Sequence, residues 1–332
     1  MRRHADTLAL LVLSAAGAFA FAGFTWSPVL LCACASAAVG FHLAARALHV
    51  ERTWRFALAL LYAFSPTLLL RAEAQPLLAF TWHLPWVFVV ARWLASRRGL
   101  ERRAFLTLAL VTCTALQAQE FFAFALVLWA LALCLHLFRG PRHALRRLAL
   151  LGWGIAVALG SGLARPHQEA PPKDSAELAA LKPSALLEPG TTGPLAALGA
   201  RLHRTAVVES ESPAPYLGAL GALVLLWCVA FTALRVASGR LDHAARLGLS
   251  ALTVMLAAGP GALPSLLAVA QLDVLHFANR ASSLVGAGVL LAAGLALSRS
   301  TPRLPFAARL VLATALTVLG VLEATASAAA LL

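Results

Sequence analysis

The sequence predicts an all-α fold: a polytopic transmembrane helical bundle of about 11 spans, with one extracytoplasmic loop region of short helices. Three observations predict it. Of the 332 residues 61% are hydrophobic and only 12% charged, with a mean hydropathy of +0.81, whereas a soluble domain carries about 25% charged residues. The apolar residues gather in runs near the ~20 residues that cross a hydrocarbon core of ~30 Å. The basic residues sit in short clusters between those runs, as orientation signals do. Helices follow, not strands, because lipid leaves open backbone groups unsatisfied and no ten-residue alternation of a barrel strand is present.

The candidate spans in chain order are 7–26, 28–48, 54–70, 76–92, 104–118, 120–138, 147–164, 216–236, 245–259, 282–298 and 305–327. The runs at 54–70, 104–118 and 245–259 are short, and short spans tilt, pair or re-enter. The first run is long enough to span and ends without an A-x-A cleavage pattern, so it reads as a span and not as a signal peptide. These runs divide the chain into an N-terminal transmembrane bundle (1–164), an extracytoplasmic loop (165–215) and a C-terminal transmembrane bundle (216–332). The loop is rich in Pro and acids and cannot cross a bilayer. Within it, "SAELAALKPSALL" predicts a short helix with Ser175 as N-cap and a stop before Pro183. "GPLAALGARLH" predicts a second, lying on the membrane surface.

Charge sets the expected orientation. With Met1 in the cytoplasm, the inward loops hold 20 of the 27 Lys and Arg residues. The outward segments keep Arg71, Arg165, Lys173, Lys182, Arg201, Arg204 and Arg280, five of them in the long loop. The same distribution argues against nucleic acid as the partner of a chain with net charge +13 and pI near 11. The expected setting is a bacterial inner membrane, multi-pass, with the N-terminus cytoplasmic. The five cysteines all fall in apolar runs and read as buried small hydrophobes.

Against this background, "LRAEAQPLLAFTWHLPW" (70–86) gathers Arg71, Glu73, Gln75, Trp82 and His83. Ionisable groups inside a bilayer are costly and face a cavity or one another. His83 is expected about two turns into the fourth span, with Pro85 loosening that helix beside it. "QAQEFF" turns between the fifth and sixth spans and carries Glu120. Beyond the loop come Tyr216 and then "QLDVLHFANRAS", with Asn279 and Arg280. Every polar cluster that is not a basic orientation signal thus falls on the expected outer side. Arg71, Glu73, His83, Glu120 and Arg280 are expected to share one cavity there. Simpler readings stand beside this one. Trp82 and Trp86 suit an interfacial belt, Arg71 and Glu73 suit an exposed helix-end pair, and Glu120 suits a helix N-terminus. Arg280 carries the strongest individual case: it opposes the charge rule, and a guanidinium at a helix start suits a phosphate.

No P-loop, no dinucleotide fingerprint, no H-E-x-x-H and no nucleophile elbow occurs. No metal site is readable and the sequence specifies no cofactor.

"ALALLYAFSPTLLLRAEAQPLLAFTWHLPWVFVVARWL" (57–94), followed by "SAELAALKPS", "YLG" at 216–218 and "FANRASSLV" (277–285), resembles bacterial GT-C-type membrane glycosyltransferase-like proteins. The resemblance reaches from about residue 28 to 300. It implies transfer of a sugar from a polyprenyl-phosphate donor to a cell-envelope acceptor at the outer membrane face. On it, Arg280 and Arg71 would hold phosphate, Glu73 or Glu120 would serve as base, and His83, Tyr216 and Asn279 would bind substrate. The partners implied are membrane lipid and the polyprenyl-phosphate-linked sugar. Proteins of this type carry an acid in a large first outward loop, whereas "TWSP" (25–28) carries none. The chain is therefore expected to be an N-terminally truncated or degenerate member. A transporter or flippase for an amphiphile, or a non-catalytic scaffold of envelope assembly, are the alternatives.

Overall fold

The computed structural model describes residues 28–69, 76–96, 103–117, 119–139, 144–163, 181, 186, 217–259, 280–301 and 304–329. These form an all-helical bundle. In chain order its helices are α1 (Pro28–Ala47), α2 (Arg52–Ala63), the single turn α3 (Pro76–Ala79), α4 (Leu84–Ala95), α5 (Ala104–Gln117), α6 (Gln119–Arg139), α7 (Ala144–Leu163), α8 (Ala219–Ala237), α9 (His243–Ala257), α10 (Ala281–Ser300) and α11 (Phe306–Ala329). Ten of the expected runs overlap a helix, two of them only in part. The run 7–26 lies outside the described residues, as do the two short helices expected within 165–215 apart from Leu181 and Leu186.

Among the described residues six helices are long and apolar enough to cross a membrane: α1, α6, α7, α8, α10 and α11. At 1.5 Å per residue the 12 to 15 residues of α2, α4, α5 and α9 rise only about 18–23 Å, less than the ~30 Å of the hydrocarbon core. Prolines shorten two of them. Residues 54–70 were expected as one helix, but α2 stops at Ala63. Pro66 cannot supply the N–H that would bond back to Tyr62, and it disfavours the helical region for Ser65. Likewise 76–92 is not one helix with a loosened centre. It breaks at 80–83, and Pro85 sits in the first turn of α4, where a missing N–H costs nothing.

α10 is the axis of the bundle: 78% of its span is buried, against 6% for α11 and 22% for α7 and α8. Its sequence explains this. "ASSLVGAGVLLAAGLALSRS" places small residues on every face, and helices in lipid associate where small residues let backbones approach. A Cβ at Gly288 would stand 2.4 Å from Phe88 of α4 and 2.8 Å from Ala251 of α9. α7, α8 and α11 instead present Trp153, Leu159, Leu223, Leu226, Leu319 and Leu322 outward, which in a membrane protein is lipid-facing surface. Two interior indoles are matched. The buried Trp129 indole donates to the Val87 carbonyl at 3.0 Å, and the Trp54 indole to Thr301 Oγ1 at 3.1 Å.

The two ends of the bundle differ in chemistry. At one end Arg309 pairs with Glu51, whose backbone N–H donates to Ser298 Oγ at 2.8 Å. There too Arg299 meets Asp242 at 3.0 Å, and the buried Arg147 donates to the Ser96 carbonyl at 2.6 Å. The opposite end holds the 80–83 turn, Gln117, Gly218 and Arg280. On that side the long loop docks through Leu181 and Leu186, both fully buried. Leu181 donates to the Ala258 carbonyl at 2.9 Å, and Leu186 accepts from the Leu217 N–H at 3.3 Å. The cysteines correct their expectation in part. Cys34 and Cys228 are buried, Cys113 is half-buried, and Cys32 and Cys134 are exposed on helix surfaces.

Candidate functional site

The end opposite the arginines carries a small, partly open cleft of about 40 Å³, formed by the last turn of α2 with the segment after it, and by α8, α10 and α11. Its walls are made by Leu61, Tyr62, Leu220, Val224 and Leu290. Ser65, Thr67, Ser283 and Glu323 supply the polar part of the lining. Four glycines, Gly218, Gly221, Gly286 and Gly320, line it. A Cβ at Gly320 would stand 2.2 Å from Leu61, so this glycine lets α2 lie directly on α11.

Glu323 is fixed by backbone geometry. One carboxylate oxygen accepts the N–H of Ala219, the first residue of α8. The other lies 3.4 Å from where a Cβ on Gly218 would stand. Gly218 precedes the helix at φ +85°, a conformation open only to glycine at low cost. A carboxylate from one helix thus caps the N-terminus of another, where the helix dipole favours negative charge. The sequence reading passed over Glu323, although it is the one acid inside the last apolar run, and an ionisable residue in a span marks a site by default.

The 80–83 turn packs beside the cleft. The hydroxyl of Tyr62, a cleft residue, donates to the Thr81 carbonyl at 3.0 Å. Gln117 donates its amide to the Phe80 carbonyl. His83 is not two turns into a helix but at the N-cap position of α4. Its ring is fully buried, edge-on to Trp82 at 5.9 Å and to Phe121 at 6.0 Å between centroids. Neither ring nitrogen makes a well-formed hydrogen bond, and the neighbouring Phe80 carbonyl is engaged by Gln117.

The other expected site residues divide clearly. Arg280 is half-buried and stands one turn before Ser283 at the start of α10. Neither Arg280 nor His83 lines the cleft. Glu120 lies in the first turn of α6, next to the Phe121 that packs on His83; its side chain lies outside the described residues. Arg71, Glu73, Tyr216 and Asn279 also lie outside them. Among the described residues no three His, Cys, Asp or Glu side chains gather as a metal site would require.

Fold and surface together define a helical, multi-pass membrane protein with a cleft among four of its helices. The chain matches no protein-family model and no curated protein sequence.

Proposed function

We propose that the protein binds a polyprenyl-phosphate-linked sugar in this cleft and transfers the sugar to a cell-envelope acceptor, in the manner of GT-C-type membrane glycosyltransferases. The proposed setting is a bacterial inner membrane, with the arginine-rich end cytoplasmic and the cleft outward. The observation that carries the reading is the cleft itself. An isoprenoid tail needs apolar walls reachable from lipid, and its phosphate and sugar need hydroxyls and charge at the membrane boundary. The apolar part of the lining meets the first need, and Leu223 and Leu226 on α8 and Leu319 and Leu322 on α11 extend exposed apolar surface along its walls. Ser65, Thr67 and Ser283 supply the hydroxyls of the second, and Glu323 offers an acceptor to sugar hydroxyls. In this reading Arg280 and Arg71 hold the phosphate, where a guanidinium fork suits its oxygens. Glu73 or Glu120 is the base that takes the acceptor proton, and Glu323 joins them as a carboxylate within reach of the cleft.

The test uses a photoreactive polyprenyl-phosphate sugar with the purified protein in nanodiscs. Labelled peptides are expected from α8 and α11, and Gly286→Leu, which fills the cleft, is expected to abolish both labelling and sugar transfer. Labelling unchanged by Gly286→Leu overturns the cleft as the lipid site. Cleft labelling without transfer to any acceptor overturns the enzyme and leaves a carrier of the same lipid.

A further inference from the structure

The far end of the bundle holds a second grouping that the proposed chemistry does not use. Arg92 near the end of α4, Arg103 before α5, His243 and Arg246 in the first turn of α9, and Arg299 at the end of α10 come together where four helices end. Arg103 and Arg299 are close enough to repel the half-buried Arg92, and Arg92, Arg246 and Arg299 all act on His243. One acid faces the group among the described residues, and it is already engaged twice. Asp242 Oδ1 accepts the Ala245 N–H at 2.8 Å as the N-cap of α9, while Oδ2 holds Arg299 at 3.0 Å. Arg92 reaches only the Leu48 carbonyl, at 3.5 Å, and Arg103 lies over the Trp93 ring at 5.0 Å. Among the described residues four guanidinium groups face one carboxylate at these helix ends.

Orientation signals do not require this arrangement. Charges that only set topology do their work spread along separate loops, and like charges drawn together at helix ends repel unless an anion sits among them. Exposed Phe105 and Leu106 begin α5 and exposed Leu249 lies one turn along α9, giving apolar surface next to the cations. Basic pockets between helices at a membrane boundary hold anionic lipid headgroups.

We propose that Arg92, Arg103, Arg246 and Arg299, with His243, form a binding site for the phosphate of an anionic phospholipid in the adjoining leaflet. The lipid's acyl chains run along α5 and α9. The site is independent of the cleft, and its lipid is structural or regulatory, not a substrate.

Native mass spectrometry of the full chain tests this, with dioleoyl-phosphatidylglycerol and dioleoyl-phosphatidylcholine as competing probes. The wild type is expected to retain phosphatidylglycerol in preference. Each charge removed is expected to weaken it about fivefold, so Arg92→Gln with Arg246→Gln is expected to lose about 25-fold. Arg146→Gln with Arg240→Gln, two exposed arginines outside the group, serves as the matched control. Asp242→Asn keeps a capping oxygen and removes the one opposing charge. It is expected to retain phosphatidylglycerol about fivefold more tightly, a gain that misfolding cannot imitate. Equal loss in the control pair, no gain in Asp242→Asn, or equal retention of both lipids overturns the proposal. Displacement of the lipid by millimolar inorganic phosphate also overturns it, because the site would then take free phosphate.

Discussion

Replacing Gly40 by alanine puts a single methyl group where the chain has no room for it. A Cβ at this point of α1 would stand 2.3 Å from the carbonyl oxygen, 2.8 Å from Cα and 2.9 Å from the carbonyl carbon of Trp82. Comfortable separations are roughly 3.5 Å, so α1 and the 80–83 turn must part by about 1 Å. Neither side yields freely. α1 is packed there through the fully buried Ala37, Phe41 and Ala44, and the turn is tied by Tyr62 to Thr81 and by Gln117 to Phe80. Overpacking of this kind costs about 1–3 kcal/mol, and losing one of the two ties adds about 1 kcal/mol. The better helix propensity of alanine returns up to about 1 kcal/mol, leaving Gly40→Ala about 1–3 kcal/mol less stable than wild type. Gly160→Ala on α7 is the control, because a Cβ there meets nothing within 4 Å. Unfolding in mixed micelles titrated with dodecyl sulfate, followed by tryptophan fluorescence, gives both values. Equal stability of the two variants refutes the close packing of α1 on the turn, and with it the fixed position of His83.

His49 adopts φ +67° where α1 ends, and Val50 closes the turn on Ala45 at 3.0 Å, as Arg240 does on Arg235 beside Gly239. His49→Gly is expected to stabilise the protein by about 1 kcal/mol in the same titration. Gly218→Ala, at φ +85° against Glu323 and Pro66, is expected to destabilise it by about 1–3 kcal/mol. His243 supplies a pH test. Partial desolvation first, then Arg92, Arg246 and Arg299, hold its imidazole below the ordinary value, against the opposing pull of Asp242. The unfolded chain therefore takes up this proton first as pH falls below ~6.5, and stability declines toward pH 5. Unfolding midpoints at pH 7.5 and 5.5 are expected to differ less in His243→Gln than in wild type.

Composition by itself determined the class of this protein. Residues this apolar, in runs this long, have no solution but helices that satisfy their own backbone, and ten of the eleven predicted runs overlap a described helix, 54–70 and 76–92 only in part. Orientation signals were legible for a similar reason: the arginines lie at the ends of the runs, and the structure gathers those it describes, Arg280 apart, at one end of the bundle. Local interruption was harder to read. "TWHLPW" and "FSPT" sit inside apolar runs, and hydropathy averaged over a span does not see that Pro85 begins a helix or that Pro66 follows the end of one. Only tertiary structure decided which helix is central. α10 and α11 have similar hydropathy, yet α10 is buried and α11 is not, because small residues on every face of α10 let its neighbours close around it. The cleft was also beyond the sequence, since its lining comes from four helices more than 250 residues apart at the extremes. Glu323 stood in plain view in the last run, but it took the fold to bring Gly218 and the first turn of α8 against it. The same holds for the cationic group. Its members read one by one as orientation signals, and only the meeting of helix ends draws them into one positive grouping.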